Sequence, residues 1–121
     1  MKAKKKFGQN FLVDRYFISR IVNEVNPKEG NNILEIGPGK GAITEPILKK
    51  TNHISVVEID PDMIKILKHK ISTKNISILA EDVLGINDEF FEKFNKIIGN
   101  LPYYIATEII LKLTKINAIN K

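Results

Sequence analysis

The segment Asn100-Leu101-Pro102-Tyr103-Tyr104 combines residue types that can hold a planar amine beside an aromatic ring. The exocyclic amine of adenine is a poor nucleophile because its lone pair is delocalised into the ring. If the Asn100 side-chain oxygen and the Leu101 carbonyl accept hydrogen bonds from that amine, the lone pair becomes available for methyl transfer, which alignment and electrostatics can catalyse. Pro102 forces Leu101 to be extended, and Tyr103 or Tyr104 can stack on a base taken out of its helix. The alternative is a proline-containing turn that begins a helix, with both tyrosines in the core.

A glycine-rich turn, Gly37-Pro38-Gly39-Lys40-Gly41, supplies a second candidate site. Glycines between a buried strand and a helix let the backbone approach a ligand closely, and the start of the helix supplies free N–H groups. Because Ala42 follows, the run also fits the Gly-x-Gly-x-x-Ala fingerprint of dinucleotide-binding turns. Taken alone, these glycines favour a ligand-binding turn over the alternative, which is a tight turn that binds no ligand.

Three acidic residues fall at or just after the carboxyl ends of successive predicted strands: Glu35, Glu58 and Asp82. Ligands of open α/β sheets bind at this edge. Glu58 follows Gly37 by about twenty residues, the distance at which a carboxylate can accept hydrogen bonds from both ribose hydroxyls. Several carboxylates would repel a pyrophosphate but attract a sulfonium and an ammonium group. The pattern therefore favours S-adenosylmethionine over NAD, although each acid alone could be a solvated strand end.

The elements that must position these residues alternate along the chain. Short apolar runs predict strands at residues 33–36, 54–58, 76–80 and 96–99. Caps, prolines and apolar spacing predict helices from Asp14 to before Pro27, over about 42–50, from Asp60-Pro61 onward and over about 104–115. Such alternation predicts parallel strands with helical crossovers in a doubly wound sheet.

Length and composition describe one ordinary globular domain. The chain has 121 residues, no cysteine and a formal net charge of +5, so disulfides and thiolate chemistry are excluded. His53 and His69 lack metal-ligand spacing, and no apolar run approaches the roughly 20 residues of a membrane span. We therefore expect a cytoplasmic protein with neither a metal nor a membrane partner. The positive charge is compatible with RNA as a partner.

The first thirteen residues form a basic arm with unusual composition for a solvated tail. Lys4-Lys5-Lys6 precedes Phe7-Gly8-Gln9-Asn10-Phe11-Leu12, which contains two aromatic residues, a glycine and an adjacent Gln and Asn. One interpretation is a solvated basic tail. The other is an arm folded over the cofactor, with its lysines on phosphate groups.

The chain resembles the rRNA adenine dimethyltransferases (the KsgA family), because these motifs occur in it in the order and spacing of that family. The shared motifs are Phe-Gly-Gln-Asn-Phe-Leu, Glu-Ile-Gly-Pro-Gly-Lys-Gly, Val-Glu-Ile-Asp, Glu-Asp-Val and Asn-Leu-Pro-Tyr-Tyr, between Lys5 and about Lys115. Erythromycin-resistance rRNA methylases have a similar motif set. The Phe7-Gly8 lead-in and the Tyr103-Tyr104 ending look more like the KsgA side.

The resemblance implies a Rossmann-like S-adenosylmethionine-dependent methyltransferase fold, of which this chain is the N-terminal part of a doubly wound, mainly parallel sheet. It implies dimethylation of two adjacent adenosines near the 3′ end of small-subunit rRNA during ribosome biogenesis, by a protein that is a monomer at full length. The implied cofactor contacts are Asn10, Leu12, Gly37, Gly39, Glu58, Asp82 and Asn100. The implied holders of the target adenine are Asn100, Leu101, Pro102 and Tyr103.

The chain departs from the family at its end. Family members continue through further strands and a small helical domain that helps to bind RNA, whereas this sequence stops at Lys121. We therefore expect an arm over the cofactor site at 1–13 and a shortened methyltransferase domain at 14–121. Three alternatives remain. One is an inactive module that binds the cofactor or pre-rRNA, and another is an erythromycin-resistance-type methylase of large-subunit rRNA. The third is an NAD-binding domain, which Glu35 disfavours.

Overall fold

A computed structural model describes residues 15–99 of the chain. Its strands are β1 (Ile33–Ile36), β2 (Ile54–Val57), β3 (Ile76–Leu79) and β4 (Lys96–Gly99). Its α-helices are α1 (Arg15–Val25), α2 (Thr44–Leu48), α3 (Pro61–Lys70) and α4 (Asp88–Phe91), with a 3-10 turn at Val83–Gly85. In this part of the chain, every helix is too short or too polar to cross a membrane.

The four strands form one parallel sheet in the order β3-β2-β1-β4. The chain moves outward from β1 to β2 and β3, and then returns to place β4 on the other side of β1. Their carboxyl ends meet at one edge, and the order reverses at β1, which is where open α/β sheets bind ligands. The predicted Rossmann-like sheet and all four predicted strands are confirmed.

Helices cover both faces of the sheet, as a parallel sheet requires. One face packs against α1, α2 and α3 in a core of Val22, Ile33, Ile43, Ile47, Ile54, Val56, Leu67, Ile71 and Ile76. The other face packs against α4 and the 3-10 turn in a core of Leu34, Ile36, Val57, Val83, Ile86 and Phe91. The alternation of β1 side chains between these two cores fixes the orientation of its residues toward one helical layer or the other.

Local sequence explains where the helices begin and end. Asp60 caps α3 by accepting a hydrogen bond from the Asp62 N–H at 2.9 Å, and Pro61 occupies the first helical position. Helix α1 ends at Val25 because Asn26 adopts a φ of 50°, a left-handed conformation that Asn tolerates. Helix α2 is shorter than the predicted 42–50, and Pro46 lies in its first turn, where the missing N–H costs little. The predicted Asp14 cap and the helix at 104–115 lie outside the described residues.

Candidate functional site

The glycine turn follows β1 directly and is fastened to its neighbours. The Gly37 N–H donates to the Val57 carbonyl of β2 at 2.9 Å, and the Gly41 N–H donates to the Pro38 carbonyl at 3.0 Å. Gly39 has a φ of 57°, and a Cβ at that position would meet no atom within 4 Å. The turn therefore leaves open space beside the Gly39 backbone, as close approach of a ligand requires.

Gly41 differs from Gly39, because it lies against Leu67 of α3 and allows that helix to pack closely on the turn. Its φ is 89°, and an added Cβ would lie 3.1 Å from Cδ2 of Leu67. That distance is tighter than an ordinary contact, so a side chain at residue 41 would require Leu67 to shift by a few tenths of an ångström. The glycine thus serves close packing rather than ligand access.

Glu58 joins the end of β2 to the glycine turn. One carboxylate oxygen accepts a hydrogen bond from the Gly39 N–H at 3.1 Å, and the other accepts one from the Asp60 N–H at 3.0 Å. The residue is 8% exposed. Its burial and these two donors together hold the carboxylate in one place. Because each carboxylate oxygen has two acceptor lone pairs, each retains capacity to accept a ligand hydroxyl. The structure thus brings Glu58 and Gly39, two predicted cofactor contacts, into direct contact.

Asp82 lies at the same edge, after β3. It is exposed, and one of its oxygens accepts a hydrogen bond from the Leu84 N–H at 3.0 Å, which caps the 3-10 turn. Since Val57 and Leu79 are register partners at the ends of β2 and β3, Glu58 and Asp82 follow neighbouring strand ends. The predicted arrangement of these two acids along one edge is observed.

Ile59 and Leu84 are apolar side chains at this edge that the sequence analysis did not single out. Ile59 is 63% exposed and follows Glu58, while Leu84 is 43% exposed and lies two residues after Asp82. Together they offer apolar surface beside two carboxylates, which suits a planar heterocycle. A large apolar residue one or two positions after an acid, just beyond a buried strand, is the sequence signal that could have revealed them.

Glu35 does not face the ligand edge as the sequence analysis expected. It is 1% exposed, and its carboxylate accepts a hydrogen bond from the Thr44 hydroxyl at the start of α2. Burial raises the pKa of Glu35 to about 7, the Thr44 hydrogen bond opposes that rise, and the charge of Glu58 adds to it. The prediction that Glu35 disfavours NAD is therefore wrong, because this side chain links β1 to α2 beneath the turn.

The remaining predicted site residues lie outside the described part of the chain. These are Asn10 and Leu12 of the arm, and Asn100, Leu101, Pro102 and Tyr103 after β4. Their neighbours are informative, because β4 ends at Gly99, and Gly99 is the register partner of Ile36. Ile36 immediately precedes the glycine turn. The chain therefore enters the Asn100 segment from the same edge that carries the turn.

Among residues 15–99, no group of three or more His, Cys, Asp or Glu side chains could hold a metal ion. The edge instead presents the open backbone at Gly39, two carboxylates and two apolar side chains. This set fits a ligand with a ribose, a planar heterocycle and a cationic portion.

Comparison with known proteins identifies proteins that are similar to this chain. A family model described as ribosomal RNA adenine dimethylase matches residues 1–121. The ribosomal RNA small subunit methyltransferase A of Mycoplasmopsis pulmonis is 46% identical over 113 residues, which are 93% of this chain and 44% of that protein. The chain thus spans less than half the length of this curated relative.

Two solved structures are also similar. A dimethyladenosine transferase from Plasmodium falciparum has a TM-score of 0.74 and 26% identity, over 84% of this chain and 37% of that one. The 23S rRNA methyltransferase ErmE has a TM-score of 0.66 and 29% identity, over 80% of this chain and 39% of that one. Both are methyltransferases, in agreement with the Rossmann-like sheet described above.

Proposed function

Because the chain belongs to the ribosomal RNA adenine dimethylase family, we propose that it serves S-adenosylmethionine-dependent dimethylation of two adjacent adenosines near the 3′ end of small-subunit rRNA, in ribosome biogenesis in the cytoplasm. The observation that carries this proposal is the contact between Glu58 and the Gly39 N–H. It joins a glycine turn to a carboxylate with spare capacity to accept ribose hydroxyls, at the switch point of the sheet. The small-subunit assignment rests on the curated relative at 46% identity, compared with 29% for ErmE.

Different residues at the edge would contact different parts of the cofactor. Glu58 would accept hydrogen bonds from the ribose hydroxyls with its spare lone pairs, and the open backbone at Gly39 would admit the methionine portion. Asp82 would accept from the adenine amine, while Ile59 and Leu84 would cover the ring with apolar surface. When bound, S-adenosylmethionine supplies an electrophilic methyl group. We propose that Gly37, Asn10, Leu12 and Asn100 complete this site, as the family resemblance implies.

The target adenine would be held by the segment after β4. The side-chain oxygen of Asn100 and the Leu101 carbonyl would accept from the two amine hydrogens, which orients the nitrogen lone pair toward the methyl group. Pro102 would keep Leu101 extended, and Tyr103 would stack on the base. Positioning of this kind can contribute several powers of ten in rate without a strong general base.

A chimera provides the test of this function. The chain would be joined to the part of the Mycoplasmopsis pulmonis relative that lies beyond the matched segment, and labelled-methyl transfer to under-methylated small subunits would be measured. We expect the chimera to methylate the subunits. Asn100→Ala should lower the rate at least about 100-fold with little loss of RNA affinity, because an alignment contact is removed.

Asn52→Ala is the matched control, since Asn52 is exposed in the turn before β2, at the opposite edge of the sheet. It should leave methyl transfer unchanged. Asn100→Asp should retain part of the activity because a carboxylate remains an acceptor. Full activity of Asn100→Ala would contradict the amine-holding role. A chimera that binds subunits without transferring methyl groups would favour the binding-module alternative.

A further inference from the structure

Charge is distributed unevenly over the described surface. Residues 15–99 contain twelve Lys and Arg and twelve Asp and Glu residues, so the net charge of +5 belongs to residues 1–14 and 100–121. Around the candidate cofactor site, the acids Glu58, Asp60, Asp62, Glu81 and Asp82 follow the ends of β2 and β3. A phosphate group would be repelled by this edge. An RNA strand that delivers its base here must therefore hold its backbone elsewhere.

A groove between α1 and α2 has the opposite character. It has a volume of about 550 Å³, and its lining includes the apolar residues Ile18, Val22 and Pro46. Three cationic side chains, Arg15, Lys49 and Lys50, also line it, and it contains no acidic residue. All three cations are exposed, and none forms an ion pair with another described residue. Uncharged Ser19 and Asn23 add hydrogen-bond donors to the same groove.

The groove also lies close to the candidate site along the chain. Ala42, one of its lining residues, directly follows Gly41 of the glycine turn. Arg15 stands at the first position of α1, and α1 packs on the same face of the sheet as α2. The groove therefore begins beside the turn and follows α2 toward Lys49 and Lys50, so a strand bound in it would avoid the acidic edge.

We propose that the groove between α1 and α2 binds the sugar-phosphate backbone of the substrate RNA through Arg15, Lys49 and Lys50. This inference rests on the proposed function, which supplies the RNA. Charge complementarity selects the occupant, because three cations in a groove whose lining includes no acid match a polyanion. The chain's own arm is a poor occupant, since residues 1–13 contain four lysines and no acid and would be repelled.

The test measures RNA affinity against salt concentration for the chain and two double variants. The probe is a fluorescently labelled RNA hairpin with the 3′-terminal sequence of small-subunit rRNA, followed by fluorescence anisotropy. Lys49→Gln/Lys50→Gln should weaken binding about tenfold or more at low salt. It should also reduce the slope of log K against log salt by about one to two, because two phosphate contacts are lost.

Lys65→Gln/Lys68→Gln is the matched control. It removes the same charge from two exposed lysines of α3, outside the groove, and should change both quantities much less. Affinity for S-adenosylmethionine, measured by calorimetry on the same samples, should be unchanged in both double variants. That measurement separates a failure of this inference from a failure of the proposed cofactor site.

Equal losses in the two double variants would overturn the proposal, because they would show general attraction of RNA to any lysine. Unchanged affinity in Lys49→Gln/Lys50→Gln, or no RNA binding by the unsubstituted chain, would also overturn it. A change of oligomeric state instead of RNA affinity, measured by size-exclusion chromatography, would assign the groove to the acidic edge of a second copy.

Discussion

Two glutamates on neighbouring strands show at the scale of single residues how the site is built. Glu58 lies at the ligand edge of the sheet and accepts hydrogen bonds from two backbone N–H groups. Glu35 is turned into the core beside α2, where its hydrogen-bond donor is the Thr44 hydroxyl. The first can meet a ligand, whereas the second holds the strand and helix that flank the glycine turn.

The buried position of Glu35 predicts a dependence of stability on pH. In the unfolded chain, Glu35 ionises near its ordinary pKa of 4.5, but in the folded chain its pKa is raised to about 7 by burial. Between these values the folded state holds a proton that the unfolded state has released, so the free energy of unfolding falls as pH rises. The loss attributable to Glu35 should reach about 3 kcal/mol by pH 7.5.

Urea denaturation at a series of pH values from 4 to 8 measures this dependence. Glu35→Gln should flatten the decrease between about pH 4.5 and 7 and should be more stable than the unsubstituted chain at pH 7.5. Glu24→Gln, an exposed glutamate of α1, should keep the original slope. If Glu35→Gln and the unsubstituted chain lose stability in parallel across this range, Glu35 is not the buried titrating group.

At the scale of elements, the glycine turn is held from two sides. On one side β2 binds it through the Val57 carbonyl and Glu58. On the other side, the Lys70 ammonium of α3 donates a hydrogen bond to the Lys40 carbonyl of the turn at 2.7 Å. It also forms an ion pair with Glu45 of α2 at 2.9 Å. Lys70 therefore connects the end of α3 to the turn and to the helix that follows it.

Lys70→Met should consequently weaken binding of S-adenosylmethionine to the chain by about two- to fivefold. The effect is small because Lys70 and Glu45 are both partly exposed and the ion pair is screened, so it amounts to at most about 1 kcal/mol. Calorimetric titration gives the affinity, and Lys70→Arg should restore most of it. Lys68→Met, two residues earlier on α3 and exposed, provides the control. Equal affinities for the Lys70→Met and Lys68→Met variants would exclude a positioning role for Lys70.

At the scale of the whole molecule, buried strands and capped helices could be predicted from sequence. Each strand is a four-residue segment with two or three aliphatic residues, and Asp60-Pro61 marks the start of α3. The short helix α4 and the 3-10 turn were not predicted, because so few residues carry no periodicity. The burial of Glu35 was missed although strand alternation indicated it, since Leu34 and Ile36 point to the opposite core.

The candidate site was predictable to a similar extent. Gly37, Gly39, Glu58 and Asp82 lie at one edge as expected, because the carboxyl ends of parallel strands share that edge. The exposed pair Ile59 and Leu84 required the structure, since exposure of an apolar side chain depends on which neighbours cover it. The division into an arm at 1–13 and a methyltransferase domain at 14–121 remains a prediction.

Calorimetric titration of the chain with S-adenosylmethionine tests the central claim most directly, namely that the glycine turn and Glu58 form its site. We predict one-site binding to the unsubstituted chain and a loss of about 1.5–3 kcal/mol in Glu58→Gln, because charge-assisted hydrogen bonds to the ribose are weakened. Glu81→Gln, which removes an exposed acid at the same edge, should bind normally. NAD should bind far more weakly. Equal affinity of Glu58→Gln and the unsubstituted chain, or tighter binding of NAD than of S-adenosylmethionine, would contradict the account.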